Sequence, residues 1–199
     1  IDGCKTGQRE IVFKHVEEEL YFASEEIYGS FEPEIISNTI GIEPTITYEA
    51  LEGELTDGKP SKPGKYKVIA SLTDSQDKTV SVEFTFEITE HLYAGKSGTI
   101  FWGLAEDGTL YVNGEGSIPG YLVQDYYDKV QKIVIKDGIT GFDIYSFKYI
   151  MNYENRALPN LKYIEIPGSV EGISRNTFTD CDTLETIVIN EGVKAIYVD

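Results

Sequence analysis

The chain has 199 residues, of which 41% are hydrophobic and 26% charged, which suits one or two globular domains with their own cores. Its formal net charge is −17, from 34 acidic and 17 basic residues. Nucleic acid and anionic membranes bind proteins through clustered lysine and arginine, so neither nucleic acid nor an anionic membrane is expected as a partner. No apolar run approaches the roughly 20 residues that a membrane span needs.

The first half of the chain is predicted to be a β domain. Residues 1–9 are predicted as an N-terminal tail and residues 10–90 as the domain itself. Residues 44–48, 66–72 and 80–88 alternate apolar and polar side chains, which is typical of strands with one buried face. The last strand has the clearest pattern, with the inward side chains expected to be Val80, Val82, Phe84, Phe86 and Ile88. Several short strands at this spacing favour a β-sandwich.

Residues 17–27 are apolar and acidic without a clear period, so they fit either a short helix or a strand with an acidic edge. Their glutamates are either calcium ligands or a solvated face. The alternating Asp/Asn-Gly loop of calcium sites is missing, which favours the solvated face.

A Pro-Gly-x-Tyr segment at Pro63–Tyr66 opens the strand at residues 66–72. Residues 45–89 resemble the bacterial immunoglobulin-like modules of surface proteins, in which this motif begins a late strand and the tyrosine packs near a corner. The resemblance implies that residues 10–90 form an immunoglobulin-like β-sandwich.

Between the two halves, residues 91–98 carry two glycines and are predicted as a linker. Residues 99–129 are predicted as a β-hairpin, because alternating runs flank Asp107-Gly108 and the glycine supplies the positive φ of a tight turn. The hairpin would act as a cap on the next module, and Trp102, Leu104 and Leu110 of the hairpin would cover the end of that module's core.

Residues 130–199 repeat themselves. Pairs of isoleucines at i and i+2 occur three times, and the step from Ile133 to Ile164 is 31 residues while that from Ile164 to Ile187 is 23. The first copy therefore carries an insertion, which lies between Phe147 and Leu161. A period in the twenties predicts a stack of parallel strands that bury one face together.

The second copy resembles the BspA-like leucine-rich repeats of bacterial surface proteins, and the residues that carry this resemblance are Ile164–Val170, Ile173, Asn176, Thr177, Phe178, Cys181 and Leu184. The first copy matches less closely, and the third ends before its phenylalanine segment, as a C-terminal cap or a truncation point. The resemblance implies a mainly β chain with a short leucine-rich-repeat solenoid at residues 130–199.

The two cysteines are given different roles. Cys4 follows a glycine and resembles the acceptor cysteine of bacterial lipoproteins, so it is a lipidation candidate, with a free thiol as the alternative. Cys181 lies in a repeat, where a small buried thiol packs well. A disulfide between them has no support from spacing and stays open.

No catalytic residues are predicted. The chain has only two histidines, His15 and His91, and it lacks the Gly-x-Ser-x-Gly, His-Glu-x-x-His and Cys-x-x-Cys motifs. We therefore expect no enzyme activity, no cofactor and no metal site.

Two candidate binding surfaces remain. The first is the outward face of the repeats, centred on Tyr163 and formed by Lys132, Val134, Tyr163, Glu165, Thr186 and Val188. Its alternative is an ordinary half-exposed sheet. The second is the insertion, whose Tyr149, Tyr153 and Arg156 are residue types enriched in interface hot spots. Its alternative is a longer buried segment, filled by Ile150, Met151 and Leu158.

The resemblances imply an extracellular protein of the bacterial cell surface. Its expected function is adhesion to a host protein, a glycan or other cells, with membrane attachment only through a lipid at Cys4. The alternative is a structural spacer or stalk of a surface lipoprotein, with no ligand of its own. Fold-level analogy supports both.

Overall fold

A computed structural model describes residues 2–6, 9–14, 19–29, 34–38, 43–73, 75–174 and 177–197. It is mainly β, and these residues contain no α-helix. The chain divides into two compact units, Ile1–Glu90 and His91–Asp199.

The described residues of the first unit form ten strands. They are β1 Asp2–Thr6, β2 Arg9–Lys14, β3 Glu19–Ala23, β4 Glu26–Tyr28, β5 Glu34–Asn38, β6 Thr45–Glu52, β7 Leu55–Thr56, β8 Lys59–Pro60, β9 Gly64–Thr73 and β10 Thr79–Glu90. Strands β1, β2 and β5 form one sheet, β4-β3-β10-β9-β6 form a second, and β7 pairs with β8. Residues 2–6, predicted as part of a tail, thus belong to a sheet strand.

Strands β9 and β10 form a long antiparallel pair, because both alternate as the sequence predicts. Tyr66, opposite Phe86, and Leu72, opposite Val80, mark the two ends of the shared apolar row. The β9 residues of this row are fully buried, whereas β10 has only one fully buried apolar residue, Ile88, which lies just past the row, opposite Gly64. The other inward residues predicted for β10, Val80, Val82, Phe84 and Phe86, are half-buried.

Strand β3 decides between helix and strand for the described part of residues 17–27, which begins at Glu19. It pairs with β4 on one side and with β10 on the other. Its residues Leu20, Tyr21, Phe22 and Ala23 are all buried. Both faces of the strand are therefore apolar, and the alternation of apolar and polar residues that identifies a half-exposed strand is missing. Ser24 and Glu25 then turn the chain, both with positive φ.

In the second unit, the described residues form the other ten strands and a 3-10 helix at Gln124–Tyr126. The strands are β11 Tyr93–Ser97, β12 Ile100–Leu104, β13 Thr109–Gly114, β14 Gly116–Ile118, β15 Lys132–Ile135, β16 Ile139–Phe142, β17 Lys148–Met151, β18 Glu154–Ala157, β19 Tyr163–Ile166 and β20 Thr186–Ile189. Six of them form one sheet in the order β11-β12-β13-β15-β19-β20.

The sheet of the second unit is antiparallel at its start and parallel after that. The hairpin predicted at Asp107-Gly108 is present as β12 and β13, and β13 then pairs with β15 in parallel. Strands β15, β19 and β20 continue in parallel and in register, as the repeat spacing predicts. Residues 93–97, predicted within a linker, form β11 at the edge of this sheet.

One hydrophobic core lies behind the sheet. The sheet contributes the isoleucine pairs of β15 and β19, and Phe147 lies opposite them, stacked on Phe178 with ring centroids 5.5 Å apart. The corresponding isoleucines of β20 are different, since Ile187 and Ile189 remain 41% and 40% exposed. The core is therefore open at the β20 edge.

Candidate binding surfaces

The outward face of the sheet aligns the predicted residues in two rows. One row contains Thr109, Lys132, Tyr163 and Thr186, and the next contains Tyr111, Val134, Glu165 and Val188. The register follows from the repeat, because each copy contributes the same two outward positions. The structure therefore brings together all six residues predicted for this face.

Contacts within the face occupy its polar groups. The ammonium of Lys132 lies over the Tyr163 ring, 4.7 Å from the centroid, as a cation–π contact. The Tyr163 hydroxyl donates to a Glu165 carboxylate oxygen at 3.5 Å, and the Asn190 amide donates to the other oxygen at 3.4 Å. Desolvation, and then the nearby Glu165 charge, raise the pKa of Tyr163. Because these groups already have partners, a ligand would have to replace existing contacts.

The insertion forms a second and more exposed surface. Strands β17 and β18 pair antiparallel as a hairpin, and Asn152 and Tyr153 form its two-residue turn, with φ of 53° and 64°. Positive φ at both positions is the geometry of a type I′ turn, in which glycine usually follows asparagine. A tyrosine in place of that glycine is conformationally costly, and such outliers cluster at functional sites.

The tip of this hairpin is exposed and apolar. Tyr153 is fully exposed at 103%, and Ile150 and Met151 are 45% and 38% exposed. The Arg156 guanidinium pairs with Glu154 at 2.6 Å across the exposed surface. Burial of Ile150 and Met151, the alternative for the insertion, is therefore wrong.

The base of the hairpin, in contrast, is buried. Leu158 is buried as expected, and Tyr149 is only 6% exposed. Its ring stacks on Tyr127 with centroids 3.8 Å apart and planes 5° from parallel. Tyr149 was predicted as a surface contact, but it packs in the core because β17 turns this side of the strand inward.

Two polar side chains from residues 121–124 fix the hairpin further. The Gln124 side chain accepts a hydrogen bond from the Ile150 backbone N–H at 2.8 Å and donates one to the Ile150 carbonyl at 3.1 Å. The Tyr121 hydroxyl donates to the Asn155 side-chain oxygen at 2.6 Å. Gln124 thus occupies the edge of β17 as a neighbouring strand would. Sequence reasoning missed these residues, because long-range contacts of this kind have no local pattern.

The remaining predicted groups are dispersed. Cys4 lies in the middle of β1, opposite Ile11, and the structure describes its backbone only. His15 lies outside the described residues. His91 is buried with its ring edge-on to Tyr111, at 5.6 Å between centroids. Cys181 is a free, half-buried thiol. Within the described ranges, no group of three or more His, Cys, Asp or Glu residues could hold a metal ion.

No helix in the described part of the chain is both long and apolar enough to cross a membrane.

No protein-family model matches the chain, and no curated protein matches it. Among solved structures, the chain is similar to a leucine-rich repeat protein from Eubacterium ventriosum, with 24% sequence identity and a TM-score of 0.38. The similarity covers 50% of this chain and 26% of that one, so the chain spans about a quarter of that protein's length.

Proposed function

We propose that this chain is a non-enzymatic binding module of an extracellular bacterial surface protein, and that the β17–β18 hairpin is its contact element. The observation that carries the proposal is a fully exposed tyrosine, Tyr153, in the turn of a hairpin whose strands are held by Tyr127, Gln124 and Tyr121. The ligand is a protein surface with an apolar pocket for Tyr153.

The anchoring of the hairpin supports this proposal on energetic grounds. Ordering a loop on binding costs free energy, and a hairpin that is already ordered avoids most of that cost. Tyrosine and arginine are also the residue types that dominate binding hot spots, and here Tyr153 and Arg156 stand on the same hairpin. An exposed apolar tip on a rigid base is thus suited to insertion into a partner.

The proposed architecture of the second unit is a short BspA-like leucine-rich-repeat solenoid. Its support is the parallel register of β15, β19 and β20, together with the stack of Phe147 on Phe178 at equivalent positions of successive repeats. The hairpin β12–β13 is the proposed cap that begins this stack.

The proposed architecture of the first unit is an immunoglobulin-like sandwich. Its support is the buried Tyr66, whose hydroxyl hydrogen bonds to the backbone at Lys62 and Glu54. A tyrosine that bonds back to the upstream backbone near a strand start is a hallmark of immunoglobulin-like domains. Cys4 remains the proposed lipid attachment point.

The experiment is a screen of the full chain against glycan and extracellular-matrix protein arrays, followed by titration of any protein hit. Tyr153→Ala should weaken binding by about 2 kcal/mol, which is roughly thirtyfold in Kd. Tyr163→Ala is the matched control on the sheet face and should leave Kd unchanged. A hit that survives Tyr153→Ala but is lost with Tyr163→Ala would move the site to the sheet face.

The alternative function is a structural spacer. One observation favours it: Lys132, Tyr163, Glu165 and Asn190 contact one another rather than presenting open polar groups. A spacer predicts no signal on either array and identical behaviour of the Tyr153→Ala protein.

A further inference from the structure

Strand β18 has one paired edge and one open edge. It pairs antiparallel with β17, and within the described residues no strand pairs with it on the other side. Both neighbours of the β17–β18 hairpin in the repeat stack are described, since Gln124 lies along β17 and Asp180 of the next repeat contacts Lys148 at 3.4 Å. These neighbours leave the β18 residues from Glu154 to Arg156 exposed.

The direction of the β18 backbone groups follows from the contacts of β17. The N–H and C=O of Ile150 both bond to the Gln124 side chain, so they point away from β18. Directly opposite residues of an antiparallel pair point their backbone groups either at each other or both outward. Asn155 lies opposite Ile150, and Ala157 is two positions further along, so the backbone groups of both point to the open side. Such a row is a template for an added strand.

The side chains on the two sides of Asn155 have opposite charges. Glu154 and Arg156 are 64% and 53% exposed and form an ion pair with each other at 2.6 Å. Both lie on the same face of the strand, because alternate residues of a strand share a face. Any strand added at this edge therefore meets one carboxylate and one guanidinium, two positions apart.

This arrangement is complementary to itself. If two copies of β18 pair antiparallel with the two Asn155 residues opposite each other, Glu154 of each copy lies opposite Arg156 of the other. Opposite charges in such positions stabilise a pair of strands. Because the backbone groups of Asn155 point outward, the two Asn155 residues also exchange two backbone hydrogen bonds. Parallel pairing in register would instead place like charges opposite each other, which is destabilising.

We infer that β18 is an interface between two copies of this chain, which pair antiparallel about Asn155 and join their hairpins into one four-stranded sheet. A two-fold axis between the Asn155 residues makes the interface the same on both chains. The inference does not rest on the proposed function, since pairing requires no ligand. Each copy contributes a strand of four residues, far less than the roughly 800 Å² per partner of a standard interface, so a weak dimer is expected, with Kd on the order of 0.1–1 mM.

The test is sedimentation equilibrium of the full chain at concentrations from about 0.02 to 1 mM, which span the expected Kd. The salt concentration is held at about 0.15 M, because the net charge of −17 makes two copies repel each other at low ionic strength. The weight-average mass should rise towards that of a dimer with concentration. A wild-type chain that stays monomeric throughout would overturn the inference.

Two charge variants test the opposition of Glu154 and Arg156. Glu154→Arg places arginine opposite arginine and Arg156→Glu places glutamate opposite glutamate, so each variant alone should dimerise at least roughly tenfold more weakly than wild type. A mixture of the two variants restores opposite charges at both positions and should form a heterodimer at least as tight as the wild-type dimer. The control pair, Glu106→Arg and Lys96→Glu, changes the net charge equally at exposed positions outside the hairpin and should match wild type.

Two substitutions of Asn155 test the backbone pairing. Asn155→Pro removes the outward N–H at an edge position where proline is tolerated, and should raise the dimer Kd at least roughly tenfold. Asn155→Ala loses the side-chain bond to Tyr121 but keeps the N–H, so it is the matched control and should dimerise as wild type does.

The mixture of charge variants is the deciding measurement. A dimer that survives Glu154→Arg unchanged would place the interface elsewhere and overturn the inference, and so would a mixture that forms no heterodimer. If Asn155→Pro fails to fold, as judged by circular dichroism, the mixture decides alone.

Discussion

The hydroxyl of Tyr66 donates a hydrogen bond to the carbonyl oxygen of Lys62, four residues upstream, at 2.8 Å. The Glu54 carbonyl lies 3.0 Å from the same hydroxyl, and the Glu54 backbone N–H donates to it at 2.9 Å. Tyr66 itself is completely buried. One side chain thus joins the start of β9 to the segment that follows β6.

Tyr66→Phe should destabilise the first unit by roughly 0.5–1.5 kcal/mol, because it removes the hydrogen bonds of the hydroxyl to the backbone of Lys62 and Glu54 while keeping the ring. The measurement is urea unfolding of the full chain. Tyr153→Phe, which removes a fully exposed hydroxyl, is the matched control and should leave the unfolding midpoint unchanged. Equal midpoints for all three proteins would show that the Tyr66 hydroxyl contributes nothing.

The neighbouring glycine should be equally restricted. A Cβ on Gly53 would lie 2.3 Å from the Tyr66 hydroxyl oxygen, and Gly53 has a φ of 137°, which side-chain-bearing residues rarely adopt. Gly53→Ala should therefore lower the melting temperature of the first unit. Gly58→Ala is a suitable control, since its Cβ would meet nothing within 4 Å although its φ of 76° is also positive. Similar losses in both variants would assign the effect to φ alone.

The sheet of the second unit was predictable because a repeat fixes register as well as strand position. The step from Ile133 to Ile164 to Ile187 places Val134, Glu165 and Val188 in one row, which the structure shows. The prediction of a linker at residues 91–98 missed strand β11 for a physical reason. Gly95 is one of the two glycines that predict a linker there, but a Cβ on it would lie 2.7 Å from the Trp102 ring, so this glycine permits close packing within a sheet.

The insertion was harder to predict, because apolar residues in a hairpin tip resemble core residues in sequence. Ile150 and Met151 had no local pattern that would distinguish the two cases, and a tyrosine in the place of glycine concealed the turn at Asn152-Tyr153. The hydrogen bonds from Gln124 to Ile150 join positions 26 residues apart, and only the folded chain reveals them.

Gln124→Ala should loosen the hairpin without replacing any of the hairpin's own side chains. The two hydrogen bonds to Ile150 would be lost, although water can replace them, so about 1 kcal/mol of local stability is expected to disappear. Hydrogen exchange of residues 148–157 should accelerate roughly fivefold as a result. Gln131→Ala, at an exposed glutamine remote from the hairpin, is the control. Unchanged exchange in Gln124→Ala would contradict the anchoring role.

Asp107 should give the hairpin β12–β13 a pH-dependent stability. The backbone N–H of Thr109 donates to its carboxylate at 2.9 Å, and this bond, followed by the Thr109 side chain, holds the pKa of Asp107 below its usual value. A lowered folded-state pKa means that the stabilisation is complete above the unfolded value, near pH 4, and is lost as the pH falls through the folded pKa. The stability advantage of wild type over Asp107→Asn should therefore shrink on acidification.

The check is urea unfolding of both proteins between about pH 6 and pH 2, with an NMR titration of the Asp107 carboxyl. Asp137→Asn removes the same charge from another exposed turn and controls for net charge. A difference between wild type and Asp107→Asn that stays constant with pH would refute the role of the ionised carboxylate.

Cys181 should alkylate slowly. Burial, as the main cause, raises the pKa of this thiol, the Lys148 ammonium opposes the rise, and the Asp180 and Asp182 carboxylates add to it. Because the thiolate is the reactive form, Cys181 in a Cys4→Ser background should react with iodoacetamide at about pH 8 at least roughly threefold more slowly than a free cysteine derivative.

The charges near Cys181 allow that prediction to be separated from simple steric protection. Lys148→Met removes the favourable cation, which lies 3.4 Å from Asp180, and should slow alkylation further. Asp182→Asn removes a carboxylate and should accelerate it. Steric shielding alone would leave the rates of the two variants equal at every pH, whereas control by the thiol pKa requires the two rates to move in opposite directions and to converge once the pH exceeds both pKa values.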